Sequence, residues 1–517
     1  MLDKNPFQVD RFGGINRGSE STQFGLEYQD TVPLSDALDC ENLMFTRDGG
    51  LQTRPPSKKK QDFFREAPPT KDNSAGPRQH WKIGRLGNTY YDNRWLYLTY
   101  DPSTNIGRIY DSGNITGPTY APLKKITGMR FASVLNIYGR IYISPLSDVG
   151  EPLTGSDGVI WMYDGTTFRK AGGTAPAGAT LTITDTAVGG ANVTPGLHIG
   201  AIAFETDSGF ITPAGPSTRI QVTITAGGGR AARFANIDTG PAGTVARHLL
   251  LTKSIPTYDG IQDNWELFFA LRIADNVTTT ADVVLPDTGL VDSADYLLSE
   301  KAELPACSYI STYGAHLMYN GINTDQRVIY VSKGNDPETV DETEDYIQNF
   351  DGNPVDILVG KELRGVYYFF KENCSFGVQE TSDPPNAWRV DLVDSGIGAA
   401  PFGVADVMSN PGSLVLDNLI VCGLSGIYVF SGSFGHIPIS DKITGFWKKL
   451  TKDEIKYTKM AVDPVRKRLY VLTAGDWNRD DGVTPDNPFE LWVADYVQGL
   501  DPQGIRWARW ALYYELG

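Results

Sequence analysis

The sequence predicts an all-β protein: a β-propeller of about six blades, with an inserted β-sandwich of immunoglobulin or fibronectin type and an extended N-terminal arm. Three observations carry this. Short strand-like runs recur at a steady spacing in the last third and are punctuated by glycine turns, as in residues 419–423, 426–432 and 463–472, which is the pattern of small antiparallel meanders. The 517 residues include 55 Gly and 31 Pro, a composition suited to many turns. Helical periodicity is confined to two short stretches, 296–303 and 441–450.

Taken in order, residues 1–77 are poor in alternation and rich in turn formers, with Gly13-Gly14, Lys58-Lys59-Lys60 and a Pro/Asn/Ser-rich stretch at 68–77. They read as an arm with one or two strands and a loop near 60–77. Residues 78–172 form the first part of the propeller, as two meanders. Runs 94–100, 107–111, 137–143 and 159–166 alternate large and polar residues, and Asp164-Gly165 marks a primed hairpin turn. From 173 to 304 Ala, Gly and Thr dominate and aromatics thin out, and strands such as 181–184 and 220–224 alternate cleanly. This is the inserted sandwich. Residues 305–517 return to propeller phrasing, with four meanders beginning near Cys307, Val355, Phe402 and Tyr457. The terminal run 505–516, with Trp507, Trp510, Tyr513 and Tyr514, has the β propensity to pair with the arm and close the ring, removing exposed edges.

Hydrophobic residues make up 41% of the chain and aromatics 11%, enough for a large core and too many for global disorder. The net charge is −16. A free duplex-DNA binder carries the opposite sign, because its affinity comes from neutralising phosphates. The four cysteines, Cys40, Cys307, Cys374 and Cys422, form no CxxC pair, which excludes a zinc ribbon and argues against a disulfide scaffold. The start lacks an apolar leader and no window approaches eighteen apolar residues. A chain folded in the cytosol without a membrane anchor is expected.

No catalytic constellation stands out. Asp336, Glu338, Asp341, Glu342, Glu344 and Asp345 form an acidic run that reads as a solvated loop rather than a carboxylate pair. Asp476, Asn478 and Asp480 resemble the opening of a calcium loop, but the glycine comes one position late and Asn487 stands where a bidentate Glu is needed. There is no Gly-x-Ser-x-Gly elbow, and His80, His198, His248, His316 and His436 are isolated, structural or surface residues. Lys58, Lys59, Lys60 and Arg54 are candidate assembly or DNA contacts, and Lys448, Lys449 and Lys452 form a second basic cluster. Contacts of that kind go to phosphates and are blind to sequence. No cofactor is expected.

Several phrases occur together in order. Phe12-Gly13-Gly14-Ile15-Asn16 precedes Cys40-Glu41-Asn42-Leu43-Met44-Phe45 and Gly49-Gly50-Leu51-Gln52-Thr53-Arg54-Pro55, with Pro56 where glycine is usual. Later come Ser332-Lys333-Gly334-Asn335-Asp336-Pro337-Glu338, Asp394-Ser395-Gly396-Ile397-Gly398-Ala399, Gly426-Ile427-Tyr428-Val429-Phe430 with Ile437-Pro438-Ile439-Ser440-Asp441-Lys442-Ile443 and Trp447, and Asp463 with Arg466-Lys467-Arg468-Leu469-Tyr470. The set resembles the hub or nozzle β-propeller proteins of bacteriophage tails, over roughly 1–55 and 306–475. The resemblance implies a virion structural protein of the tail, assembled in the host cytoplasm. It implies a ring of copies of itself, commonly a homohexamer, below portal and adaptor proteins. Such a ring anchors tail fibres or spikes and surrounds the genomic double-stranded DNA without reading its sequence. Alternatives are a receptor-binding or glycan-degrading tail propeller, or a tail-tip or baseplate protein of a long-tailed phage. None of these except the glycan-degrading form is an enzyme.

Overall fold

The computed structural model describes residues 79–114, 121–256, 265–348, 355–381, 388–407, 418–433, 435–474, 489–497, 499–500, 502 and 504–510. It also places five short strands in the first 53 residues. The chain is all-β, a succession of small antiparallel sheets, and it divides into two compact units, Pro69–Gln348 and Met1–Pro68 with Asn349–Gly517.

In the unit Pro69–Gln348, three meanders run in strict chain order. The first consists of Gln79–Leu86, Thr89–Asp101, Ile106–Asp111 and Lys124–Thr127. The second consists of Phe131–Ile137, Arg140–Asp148, Trp161–Tyr163 and Phe168–Lys170, with Glu151–Pro152 pairing as an extra strand. The third consists of Cys307–Tyr313, His316–Ile322, Asp325–Val331 and Tyr346–Gln348. Strand side chains alternate between faces, and the second meander is therefore apolar on both. Ile141, Ile143, Trp161 and Tyr163 pack with Ile83, Leu96, Leu98 and Ile109 of the first meander. Tyr142, Ile160 and Met162 pack with Ile310, Leu317 and Tyr319 of the third.

The sheets meet face to face, so backbone groups at the seams need other partners. Polar side chains supply them. The Gln79 amide accepts from Ala132 N at 2.7 Å and donates to Ala132 O at 3.3 Å. The Ser144 hydroxyl donates to Cys307 O at 2.6 Å and accepts from Cys307 N at 2.7 Å. Ser133 Oγ accepts from Ile310 N at 3.0 Å. Asp164 does sit at a hairpin turn, but the connection is four residues long rather than a two-residue primed turn. Its carboxylate accepts the amides of Thr166 and Thr167, which closes the longer loop.

Between the second and third meanders lie two facing sheets. Three strands, Thr182–Ala187, Arg230–Ala235 and Thr280–Val283, neighbour one another in that order. The other sheet runs Gly215–Ile224, Gly196–Thr206, Thr244–Thr252 and Leu267–Ile273. Ile183, Phe204, Val222, Phe234, Leu249 and Phe268 fill the space between them. The far face of the four-stranded sheet, with Ile199, Ala201, Ala203 and Leu250, is covered by Ala294 and Leu297. Of the helix expected at 296–303, only a 3-10 turn at Asp295–Leu298 forms.

In the other unit three more meanders follow: Val359–Leu363, Val366–Phe370, Ser375–Glu380 and Trp388–Asp394; Val404–Val407, Asn418–Gly423, Gly426–Phe430 and His436–Pro438; Lys459–Asp463, Arg468–Ala474, Phe489–Asp495 and Arg506–Trp510. They begin within four residues of the positions expected from sequence. The helical stretch at 441–450 is a 3-10 turn at Asp441–Ile443 running into Thr444–Trp447. A further helix, Lys452–Lys456, starts on a capping box between Thr451 and Glu454. Phe446, Trp447, Trp492 and Trp507 share one core with Ile420 and Ile427, and Trp507 Nε1 donates to Ile439 O at 2.8 Å.

One expectation changes. The arm forms five strands rather than one or two: Leu26–Gln29 and Phe12–Ile15 both pair with Val32–Ala37, and Leu43–Phe45 pairs with Leu51–Thr53. Of the C-terminal run, Arg506–Trp510 is the fourth strand of its own meander, bonded to Phe489–Asp495, with Trp507 and Ala508 buried. It also lies beside the arm strands Phe12–Ile15 and Leu43–Phe45, and residues 511–516 fall outside the described residues.

Successive meanders in this unit meet through bare backbone at Gly398. A Cβ there would lie 2.0 Å from the Glu372 carbonyl group, and the next amide, Ala399 N, donates to Lys371 O at 2.9 Å. Gly398→Ala is expected to destabilise the chain by about 1–3 kcal/mol through overpacking. Gly189→Ala, at a site with open space, should stay within about 0.5 kcal/mol of the parent. Thermal unfolding of the two variants checks the difference.

Candidate functional site: a buried arginine junction and its pocket

The acidic run at 336–345 is not uniformly solvated. Glu342 and Glu344 are exposed, but Glu338 is fully buried. It is held by Arg169, the middle residue of Phe168–Lys170, which strand alternation turns inward opposite the buried Met162. Arg169 Nη1 donates to Glu338 Oε2 at 2.7 Å and Nη2 to Oε1 at 3.1 Å. Gly172 N donates to Oε2 at 2.7 Å, and the Tyr142 hydroxyl approaches Oε1 at 3.4 Å. Gly172 has φ +77°, and a Cβ there would lie 2.5 Å from Ala302 O. This left-handed turn is what delivers its amide to the carboxylate.

The same guanidinium reaches the residue that follows the strand Gly196–Thr206 of the four-stranded sheet. Its Nε donates to Asp207 Oδ1 at 2.9 Å and Nη2 also bonds that oxygen, while Asp207 N is fixed by Gly243 O at 2.8 Å. Arg140 Nη2 donates to Asp207 O at 3.1 Å. One cation thus ties the second meander, the third meander and the four-stranded sheet that lies between them in sequence. Burial alone would pull the Arg169 pKa down, but the Glu338 and Asp207 carboxylates more than reverse this and hold it above the ordinary value. Burial also raises the Tyr142 phenol, with the Glu338 charge adding to it.

Beside the junction lies a cavity of about 220 Å³ between the second meander and the four-stranded sheet. Trp161, Phe168 and Phe204 give it an apolar wall, and Arg169, Thr212 and Ala242 are among its other lining residues. Ala242 and Thr174 are exposed at its open side. Trp161 is 5% exposed and its Nε1 has no hydrogen-bond partner. Lys170 Nζ pairs with Glu303 at 2.8 Å.

A second polar site surrounds Glu300, which is 7% exposed and whose Oε2 has no partner. Burial pushes its carboxyl up to about 7. Lys333 opposes this, and Asp341, Asp345 and Asp336 add to it. Lys333 itself is paired with Asp345 at 2.9 Å. On the four-stranded sheet, Glu205 accepts from Arg272 at 2.7 Å and meets His248 Nε2 at 2.8 Å. Arg272 holds the Glu205 carboxyl below its usual value, while burial lowers His248.

Of the residues singled out in the sequence, Arg54, Lys58, Lys59, Lys60, Asp476, Asn478 and Asp480 lie outside the described residues. Lys448, Lys449 and Lys452 are exposed, and Lys452 pairs with Glu372 at 2.7 Å. His198 is buried, with its ring nitrogens 2.8 Å and 2.7 Å from Thr252 O and Thr194 O. Among the described residues no group of three or more His, Cys, Asp or Glu is placed to hold a metal, and no helix is long and apolar enough to cross a membrane. Sequence reading missed Arg169, Trp161 and Glu300. The one available signal was a lone Arg in the inward phase of a three-residue strand.

No protein-family model matches the chain, and no curated protein matches it. Among solved structures, the chain is similar to Kluyvelomyces marxianus Hsv2 at 10% identity and a TM-score of 0.26, over 80% of this chain and 92% of that one. It is similar to Pyrococcus horikoshii acylaminoacyl peptidase at 10% identity and a TM-score of 0.15, over 77% of this chain and 59% of that one. Neither likeness assigns a function.

Two outcomes follow from this geometry. Arg169→Met leaves Glu338 buried without its counter-charge and should destabilise the chain by about 3–5 kcal/mol. Adding Glu338→Gln should recover part of that loss, and a double-mutant cycle by chemical denaturation measures the coupling. For Glu300 the folded pKa of about 7 lies above the ordinary 4.5. Between these values the folded chain binds more protons than the unfolded one, so stability falls as pH rises through that window and the loss is complete above it. Melting temperatures across the window should drop in the parent and show a flatter profile in Glu300→Gln.

Proposed function

We propose that the chain is a virion structural protein of a tailed phage: a subunit of the tail hub or nozzle ring. Its meanders are the blades of a propeller of about six, with the sandwich as an inserted domain. The observation that carries this reading is the ordered set of glycine-centred phrases at 12–55, 332–338, 394–399, 426–447 and 463–470. The physical role of those phrases supports it. Asp394 Oδ1 accepts from Gly396 N at 2.7 Å, Ile397 is buried, and Gly398 lets the next meander dock. Ser440 Oγ accepts from Ile427 N at 2.9 Å, and Ile439, Ile443 and Trp447 join the core shared with the last meander. Two of the phrases, 394–399 and 437–447, lie at joints between successive meanders, and 332–338 and 463–470 are connections within one.

In this reading the arm docks on a neighbouring subunit or on the adaptor, and copies of the chain surround the DNA exit channel. A net charge of −16 per copy makes the wall repel phosphates. Screening over about 8 Å confines that field to the layer near the wall. Loops that narrow the channel, rather than attraction, then retain the packaged genome.

Mass photometry of the full chain should show an assembly at six times the 56.6 kDa chain mass. Cryo-EM of particles should place it as a ring below the portal. A monomer absent from purified particles, or a strongly basic lumen, overturns the reading.

A further inference from the structure

We propose that the strand Trp388–Asp394 pairs edge to edge with the same strand of a second copy of this chain, antiparallel and with Val390 on the two-fold axis. The inference does not rest on the virion reading.

This strand is an exception among the outer strands. It is the fourth of its meander and bonds to Ser375–Glu380 on its inner side; among the described residues no strand bonds to its outer side. The fourth strands of the other meanders are three to five residues long, and a short edge offers little template for further pairing. This one has seven residues. Its apolar face is also left open. Val390 lies opposite Val378 and Leu392 opposite Phe376, both of them buried, so the apolar face of the sheet runs out to the edge, where Leu392 is 58% exposed. An added strand continues that face.

The residues of the edge decide what the added strand is. Directly opposed residues of an antiparallel pair share a face, and a slip of one residue sets apolar side chains against polar ones. A symmetric pairing that keeps the faces together therefore centres on a single residue. Centring on Arg389 or on Asp391 sets that charge against its own copy, and facing like charges destabilise a pair. Centring on Val390 sets Val390 against Val390, Trp388 against Leu392 and Arg389 against Asp391. Each apolar residue then meets an apolar one and each charge its opposite. Arg389 and Asp391 already pair within the strand at 2.8 Å, with 66% and 57% of their side chains exposed. In the paired form each Arg lies between its own Asp and the partner's. A strand from another protein would need this same pattern, and a second copy carries it.

The test is disulfide trapping on the full chain, because a contact one strand wide is small beside the ~1,200–2,000 Å² of stable interfaces. Val390→Cys sets two thiols opposite each other on the axis, and mild oxidation should yield a covalent dimer on a non-reducing gel. Cys307, Cys374 and Cys422 are buried, and the parent chain sets the background. Leu392→Cys is the control: its position is well exposed, but the pairing holds its two copies four residues out of line, so its dimer yield should be at least about tenfold lower. Adding Arg389→Asp to Val390→Cys sets Asp against Asp and should cut the yield about tenfold. Adding Asp391→Arg as well should restore it. If Val390→Cys fails to fold, sedimentation velocity of the chains without added cysteines decides, with the same loss in Arg389→Asp and the same recovery in the double exchange. No dimer from a folded Val390→Cys, equal trapping of Leu392→Cys, indifference to Arg389→Asp, or no recovery in the double exchange each overturns the proposal. A six-copy ring is read from particle mass and this contact from its register, so either can fail alone.

Discussion

The structure of the unit Pro69–Gln348 depends on one buried ion pair. Arg169 and Glu338 sit 169 residues apart in sequence with both side chains almost wholly out of solvent. Desolvating two charges costs several kcal/mol per ion, and attraction offsets that only where the remaining lone pairs and protons are also satisfied. Here they are. Glu338 receives the guanidinium at both oxygens and a backbone amide, and the rest of the guanidinium is taken by Asp207 and Lys170 O. A pair of this kind contributes little net stability compared with an apolar replacement, but it admits few alternative arrangements. It ties the two facing sheets to the meanders on either side, and with them the walls of the cavity.

The joints elsewhere obey the same constraint with neutral groups. Stacked meanders do not share a hydrogen-bond ladder, and at several seams a side chain stands in for a strand. Gln79 does this for Ala132, Ser144 for Cys307 and Ser133 for Ile310. Where no side chain fits, backbone approaches backbone, as at Gly398. The apolar faces supply most of the free energy and are tolerant of sequence. The polar stitches set the register between sheets, because a displaced stitch leaves a buried donor unmet.

That division explains what could be read from the sequence. Period-two runs with glycine turns located the meanders closely: strands begin at Cys307, Val359, Val404 and Lys459, near the positions expected. The compositional change toward Ala, Gly and Thr marked the two facing sheets. The polar junction was illegible, because Glu338 lies in an acidic run whose neighbours Glu342 and Glu344 are exposed. Charge patterning averages over such a run and cannot single out the one member that a distant Arg has taken. The number of strands in the arm was underestimated because pairing between short, turn-rich segments leaves little periodicity to read.

The acidic balance of the chain also looks different once the carboxylates are placed. Many sit at hairpin ends, bound to amides or hydroxyls two or three residues on: Asp101 to Ser103 and Thr104, Asp275 to Val277 and Thr278, Asp463 to Val465 and Arg466. Hydrogen bonds to the ionised form hold their pKa values below the usual range. Such groups stay charged at neutral pH and make poor proton donors, so the acid count measures turns closed rather than chemistry available. Glu300 is shifted in the opposite direction, and it is also closed off from solvent. It lies where residues 299–301 meet 340–342, with Lys301 N donating to Val340 O and Glu342 N to Ser299 O, so its protonation is linked to the stability of the fold around that contact, a short walk along the chain from the Glu338 that Arg169 holds.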